Sequence, residues 1–494
     1  MKNILFVHSS KIWFFIVASG MVGSLSGCDG GSGPAPEPPV VPVGIGKANA
    51  WVTTGDQSRL LAKDIDVTIY EPSAVSTPVI TVNVDQKLQE IEGFGASLTG
   101  SSAYVMNQKM TSTQRNILLN DLFNAEVGIG ITYIRLTVGA SDFSVSDFTY
   151  DDVPANETDF NLTSFTIEKD EDDVVPVLKK IVSIYPDLKI MASPWTAPPW
   201  MKTNGSYKGG KLKTECYDVY ADYFVRYIEA FKDHGIRIDA ITPQNEPLYF
   251  TASYPCMEMQ PFEQRDFIKN SLGPAFQDND IDAKIIVYDH NWDHPEYATT
   301  IMNDAAAKQF VAGSAFHGYG GSVSAMSSVN AAHPDKGLYF TEVSGGEWAT
   351  NFSENLQWSM ANIFIGTTKN WSKTALYWNL ALDQDHGPKN NGCADCRGVV
   401  TVNNNNGTVT KNVEYYAIGH FSKFIRKNAH RVGSSISPAI GGVDHVAFVN
   451  EDGKRVIVIS NNNNGTSAVT INDGSAQFDY SVPGKSVMTL TWKL

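Results

Sequence analysis

The chain has 494 residues, and its 53 acidic against 38 basic side chains leave a formal charge of −15. That balance excludes a nucleic-acid partner, which asks for a basic face. Only 18% of residues are charged while 42% are hydrophobic and 11% aromatic, which excludes a disordered chain and leaves several domains or one large barrel with a smaller module.

At the N-terminus, Lys2 and Lys11 precede the apolar run Ile12–Ala18, and Leu25-Ser26-Gly27-Cys28 follows. A short apolar core ending in small residues reads as a signal peptide over residues 1–27, too short to span a bilayer. The Cys directly after it resembles a lipobox. Cys28 is then the lipidated first residue of an exported protein, anchored to a bacterial membrane through lipid alone; an ordinary signal followed by a chance Cys is the other reading. Residues 28–48, rich in Gly and Pro, read as a flexible tether. The remaining cysteines are Cys216, Cys256, Cys393 and Cys396. Export permits disulfides, a small loop closed by Cys393 and Cys396 and a larger one by Cys216 and Cys256. A zinc site would want a second Cys or His pair at matching spacing, which the sequence lacks, so disulfides are favoured.

Residues 49–88 hold β-branched runs at Asp66–Tyr70 and Val79–Val84. From 89 to 427 apolar strand-like segments alternate with longer stretches of helical spacing. The strands are expected at Ile91–Ala96, Ile131–Val138, Leu188–Pro194, Ile238–Pro243, Lys284–Tyr288, Ser314–His317, Gly337–Thr341 and Thr374–Leu380. Helices are expected at Tyr217–Asp233, with Tyr220, Phe224, Tyr227 and Phe231 on one face, at Asn355–Lys369 and at Val413–Lys427. Eight such units imply a closed (β/α)8 TIM barrel. Residues 428–494 return to strands, at Val443–Asn450, Arg455–Ser460, Ser467–Ile471 and Ser486–Trp492. Asn464-Gly465 reads as a hairpin turn between two of them, and Asn406-Gly407 looks similar. Both flanks together predict an antiparallel β-sandwich packed beside the barrel.

Barrel chemistry sits at the C-terminal ends of the strands. Those ends offer Arg135 on strand 2, Trp195 after strand 3, Asn245 and Glu246 after strand 4, Asp289-His290 after strand 5, His317 and Tyr319 after strand 6, Glu342 after strand 7 and Trp378 after strand 8. Two glutamates at one barrel mouth suit glycosidic cleavage, in which one carboxyl protonates the leaving oxygen and the other attacks or stabilises the anomeric carbon. The surrounding aromatics suit the C–H faces of a sugar. Either glutamate alone could be a solvated loop residue; their paired placement favours the catalytic reading.

Four stretches then carry a resemblance. Thr242-Pro243-Gln244-Asn245-Glu246-Pro247, Ser193–Gly205 with its Pro198-Pro199-Trp200-Met201 centre, Gly93-Phe94-Gly95-Ala96 and Ser141-Asp142-Phe143-Ser144 resemble motifs of glycoside hydrolase family 30, among the clan A retaining hydrolases. The resemblance spans roughly residues 50–494. It implies Glu246 as acid/base, Glu342 as nucleophile, Asn245 on the sugar 2-hydroxyl, Arg135 and Tyr319 holding Glu342 ionised, and Asp142, Trp195 and Trp378 around the sugar, with His317 a weaker member. It also implies a low pKa at the nucleophile and a raised one at the acid. Ala375–Asp383, Gly392–Thr401 and Phe340–Gly346 most resemble the endo-β-1,6-glucanase branch, although Val343 stands where that branch usually has Cys. The implied substrate is a β-glucan, and the implied mechanism needs no metal and no cofactor. The alternatives are the same mechanism on another β-glycoside (a β-glucosidase, a glucosylceramidase-like enzyme or a xylanase), and, more remotely, a non-catalytic glycan-binding lipoprotein.

Overall fold

The computed structural model describes residues 43–494. The readings of residues 1–27 as a signal peptide, of Cys28 as a lipidation site and of most of the tether lie outside the described residues. The first strand, Gly46–Thr54, begins inside the stretch read as tether.

Eight parallel strands close a barrel: β1 (Gly93–Leu98), β2 (Tyr133–Val138), β3 (Lys189–Pro194), β4 (Ala240–Ile241), β5 (Lys284–Asn291), β6 (Val311–His317), β7 (Gly337–Glu342) and β8 (Ser372–Asn379). The β8–β1 pairing closes the ring, with Thr374 beside Gly93. Tyr133, Met191, Ala240, Ile286, Ala315, Tyr339 and Leu376, one from each of β2 to β8, form a separate apolar cluster that plugs the barrel. Strand β4 is shorter than expected because Pro243 has no N–H for the ladder.

The helix Tyr217–Asp233 occupies the expected span and buries Tyr220, Phe224, Tyr227 and Phe231 against the barrel. The expected helix at Asn355–Lys369 instead starts at Phe352, capped by Asn351, and passes through a wider π turn at Ser359–Phe364. The last helix stops at Ser422.

The flanking strands form one ten-stranded sheet system with its own core. Gly46–Thr54 pairs antiparallel with Ser486–Trp492, and Val79–Glu90 lies between His430–Ser437 and Ser467–Asn472. Both ends of the described chain therefore build it. The pairing of Val79–Glu90 with Ser467–Asn472 is parallel, an exception to the antiparallel expectation. The buried His420 imidazole, from the last barrel helix, bonds Thr53 and Thr489 at 2.8 Å each and seats the sandwich on the barrel.

Two expectations are corrected. Asn464-Gly465 does not turn a hairpin: Arg455–Asn461 pairs with Val443–Val449 and Ser486–Trp492, whereas Ser467–Asn472 pairs with Gln477–Val482 and Val79–Glu90. The Asn461 side chain donates to the carbonyls of Gly465, Val482 and Pro483 and fixes the crossing. Asn406-Gly407 does turn a hairpin, between Val400–Val402 and Val409–Lys411, with Gly407 at φ +69°. The second correction concerns the cysteines. Cys393 and Cys396 form a disulfide, but Cys216 and Cys256 are buried free thiols. Cys216 packs in the barrel core, while the Cys256 sulfur accepts the N–H groups of Gly209 and Thr251 at 3.2 Å each. Among the described residues no helix is long and apolar enough to cross a membrane.

Candidate active site

The site begins with a buried cation. Arg135, on β2, is 0% exposed, and its guanidinium donates to Glu342 Oε2 at 2.6 Å, to Asn245 Oδ1 at 2.7 Å and to Asp289 Oδ2 at 2.7 Å. It also lies over the Trp195 and Trp378 rings, at 4.9 and 5.4 Å from their centroids. A planar fork serves two carboxylates and an amide while stacking on the indoles, a geometry that a lysine ammonium does not offer.

Asp289 is the second organiser, and its backbone explains its aim. Tyr288 and Asp289 adopt φ of 74° and 63°, and the β5–β6 register slips there, so that Phe316 pairs with His290 and not with Asp289. The slip turns the Asp289 carboxylate into the barrel. It accepts from Arg135, from Ser193 at 2.6 Å, Thr242 at 2.8 Å, Thr341 at 2.7 Å and His317 Nε2 at 3.1 Å. Five donors hold its carboxyl well below the usual range, although burial alone would raise it.

His317 ends β6 and bridges the two sides. Its Nε2 faces Asp289, and its Nδ1 lies 3.0 Å from Glu246 Oε1 and 4.0 Å from Glu342 Oε1. Glu246 follows β4 in a left-handed conformation, φ +45°, with its N–H on the Asp289 carbonyl at 3.0 Å. Glu342 closes β7; Tyr319 donates to its Oε1 at 3.0 Å and Arg135 to its Oε2. A carboxylate oxygen of each glutamate and a ring nitrogen of His317 all lie within 4.8 Å of one another.

These groups face a cleft of about 650 Å3, lined by Asp142, Trp195, Asn245, Glu246, Tyr319, Glu342 and Trp378 among others. Trp195 and Trp378 stack at 4.9 Å and are 3% and 2% exposed, so they form the floor. Trp378 reaches the cleft because the β8–β1 register skips from Tyr377 to Asn379. The disulfide loop roofs the same end: Gly392 sits against Asp142, and the Asn390 N–H donates to the Asp142 carbonyl. Burial and the charges of Glu342 and Glu246 push the Asp142 carboxyl well above its ordinary range.

All nine residues singled out for catalysis and sugar binding thus meet at one mouth, with Arg135 and His317 buried beneath it and the other seven lining it. Three contributors were not singled out: Asp289, although its strand end was noted, His290, which also lines the cleft, and the hydroxyl set Ser193, Thr242 and Thr341, one from each of three strands.

The electrostatics depart from expectation. Burial raises both glutamates. At Glu246 the His317 hydrogen bond and nearby positive charge outweigh it and leave the group below the usual glutamate range. At Glu342 burial prevails, aided by the Glu246 and Asp289 charges against His317 and Arg135, and leaves the group above it. The two directions are therefore the reverse of the high-acid, low-nucleophile order. Burial acts on both and the His317 charge lowers both, but only Glu246 also takes the His317 hydrogen bond. Burial works against the imidazolium, but the charges of Glu342 and Asp289 and its hydrogen bonds to Asp289 and Glu246 push it up to about 9. The His317 ring thus lies between the two carboxyls, 3.0 Å from Glu246 and 4.0 Å from Glu342, and the three form a proton-sharing set.

That shift has a consequence for stability. A histidine raised from 6.5 to about 9 on folding stabilises the fold fully below pH 6.5 and progressively less as pH rises through 9. The full effect is about 3 kcal/mol. The stability gap between wild type and His317→Gln is expected to be wide at pH 6 and to narrow by pH 9.5 in chemical denaturation. A constant gap would mean that the imidazolium is not what the fold holds.

A parallel barrel with two carboxyls this close over an aromatic-floored cleft defines a glycoside hydrolase. The model of the glycosyl hydrolase family 30 TIM-barrel domain matches residues 91–425, and that of the family's beta sandwich domain matches 428–490. An endo-1,6-beta-D-glucanase of Aspergillus fumigatus is 34% identical over 447 residues, 85% of this chain and 88% of that protein. The lysosomal acid glucosylceramidase of Mus musculus is 30% identical over 442 residues, 84% of this chain and 83% of that protein. A solved endo-beta1,6-glucanase structure superposes with a TM-score of 0.85 at 36% identity, covering 91% of this chain and all of that one. The chain belongs to glycosyl hydrolase family 30.

Proposed function

We propose that this hydrolase is a retaining endo-β-1,6-glucanase, and the observation that carries the mechanism is the gap of at most 4.8 Å between carboxylate oxygens of Glu246 and Glu342. Retention uses carboxyls about 5–5.5 Å apart; inversion needs about 6.5–9.5 Å to seat a water. Both Glu342 oxygens accept from donors, Arg135 on one and Tyr319 on the other, an arrangement that favours the carboxylate. Glu246 has one oxygen on His317 and the other open to the cleft. When a sugar expels water, the shared proton belongs on that open oxygen. Glu246 then protonates the leaving oxygen while Glu342 bonds to the anomeric carbon. Water, deprotonated by Glu246, completes the second displacement. Asn245, its Oδ1 held by Arg135, turns its N–H2 toward the sugar 2-hydroxyl.

The linkage assignment is supported by the 1,6-glucanase relatives and by the segments after β7 and β8. Export and a lipid anchor at Cys28 complete the proposal and suit an enzyme that meets polysaccharide outside the cytoplasm. Linear β-1,6-glucan should be cut faster than β-1,3-glucan, xylan or an aryl β-glucoside, with NMR showing the β-anomer as the first product. An α-anomer would reject retention; preference for another substrate would reject the linkage.

A further inference from the structure

The chemistry above leaves Tyr249, Tyr254 and Trp348 at the cleft without a role, and Trp348 is the most exposed tryptophan among the lining residues. Trp348 lines the cleft, yet it is 57% exposed, whereas the floor tryptophans are almost wholly covered. An indole left in water forgoes much of the burial free energy its ring could gain. Its ring also packs on the chain beneath it. The ring lies so close over Gly346 that a Cβ there would come within 2.0 Å of it, so only glycine permits this arrangement. The turn beneath is pinned from several sides. Ala349 N–H donates to the Gly346 carbonyl at 3.2 Å, and Glu347 N–H to the Asp395 carbonyl of the disulfide loop at 3.0 Å. Arg397 donates to the carbonyls of Gly346 and Ala349 at 3.1 Å each, while its other nitrogens grip Glu414 in a largely buried pair of 2.8 Å. A ring carried on a pinned turn has less freedom to lose on binding, which is how preorganised contacts gain affinity.

The gradient of exposure says which part of a chain such a ring meets. Asp142, Trp195, Trp378 and the disulfide loop enclose the deep end, where the sugar to be attacked fits. Glu246 delivers its proton to the oxygen on the far side of the scissile bond, and the leaving portion must depart toward solvent. Tyr249 is 45% exposed, lines the open part of the cleft and bonds its N–H to the Glu246 carbonyl. We propose that Trp348 is the binding platform for the first glucosyl unit of the leaving group, its indole face stacking on the pyranose C–H face as Glu246 protonates the linking oxygen. The inference rests on the retaining glucanase reading and adds the subsite that recognises the departing chain.

The test compares two substrates that share the deep site. β-Glucosyl fluoride expels fluoride and leaves the platform empty; a β-1,6-linked glucotriose places sugars on it. For Trp348→Ala, kcat/KM on the trisaccharide relative to that on the fluoride should fall roughly tenfold or more. Trp348→Phe, which keeps a ring, should recover part of the loss. An equal fall on both substrates, or none on either, overturns the proposal; the melting temperature of each variant identifies a general structural defect as the cause of an equal fall. If wild type consumes the fluoride but not the trisaccharide, the linkage reading fails instead. The same ratio is then taken with whichever β-1,3- or β-1,4-linked glucotriose wild type does cleave.

Discussion

Glu342→Gln is expected to lower turnover on the order of 10⁵-fold, as removal of a covalent nucleophile does in other enzymes, while leaving the fold intact. The substitution is nearly isosteric. It removes one partner of Arg135, but the guanidinium keeps Asp289 and Asn245 at 2.7 Å each, so no buried cation is left unpaired. Tyr319 can still donate to the amide oxygen. The melting temperature should move by a few degrees at most, and a β-1,6-glucan oligosaccharide should still bind, measured by calorimetry. Near-normal turnover would mean that another group attacks the anomeric carbon. Loss of folding along with activity would mean instead that the Arg135–Glu342 contact is structural.

Much of this site could be read in the chain, and the residues show why the remainder could not. Glu246 directly follows a strand inside Asn245-Glu246-Pro247, and Glu342 ends another, so strand periodicity alone places both at the mouth. Arg135 was accessible for the same reason. Asp289 was visible as a strand end, but its aim depends on a register slip between β5 and β6, which no local pattern encodes. The order of the two glutamate pKa values escaped because it depends on burial and on a His317 hydrogen bond that only Glu246 receives, and His317 gains its charge only from partners at the ends of three other strands. Asn464-Gly465 carries turn chemistry, but that chemistry does not say which strands the turn joins. Cys216 and Cys256 are permitted a bridge by export, yet permission is not proximity. Trp348 looked like one aromatic among ten tryptophans until the glycine beneath it and its exposure were seen.

Glu246→Ala separates the two halves of the reaction. A sugar leaving group needs a proton, so glucan hydrolysis should fall about 10³–10⁴-fold, the range of general acid catalysis. From a dinitrophenyl glucoside the dinitrophenolate departs unaided, so the first step on that substrate should stay fast. The intermediate then persists, because the base that deprotonates water is gone. Azide needs no base, and it should accelerate release and yield β-glucosyl azide: the C1–Glu342 ester bond breaks, the C1–N bond forms, and Glu342 leaves as its carboxylate. The retained β-configuration of that azide, read by NMR, places the attack opposite Glu342. The pH profile supplies an independent check. With Glu246 removed, His317 Nδ1 loses its bond of 3.0 Å, and Glu342 Oε1, at 4.0 Å, is its nearest remaining carboxylate there. Glu342 also sheds the neighbouring negative charge that raises it, so it should ionise more readily. The acidic limb of kcat/KM for the activated substrate should therefore shift to lower pH than in wild type. An acidic limb that does not move would mean the two carboxyls do not share a proton, and an absence of azide rescue would remove Glu246 from the acid/base role.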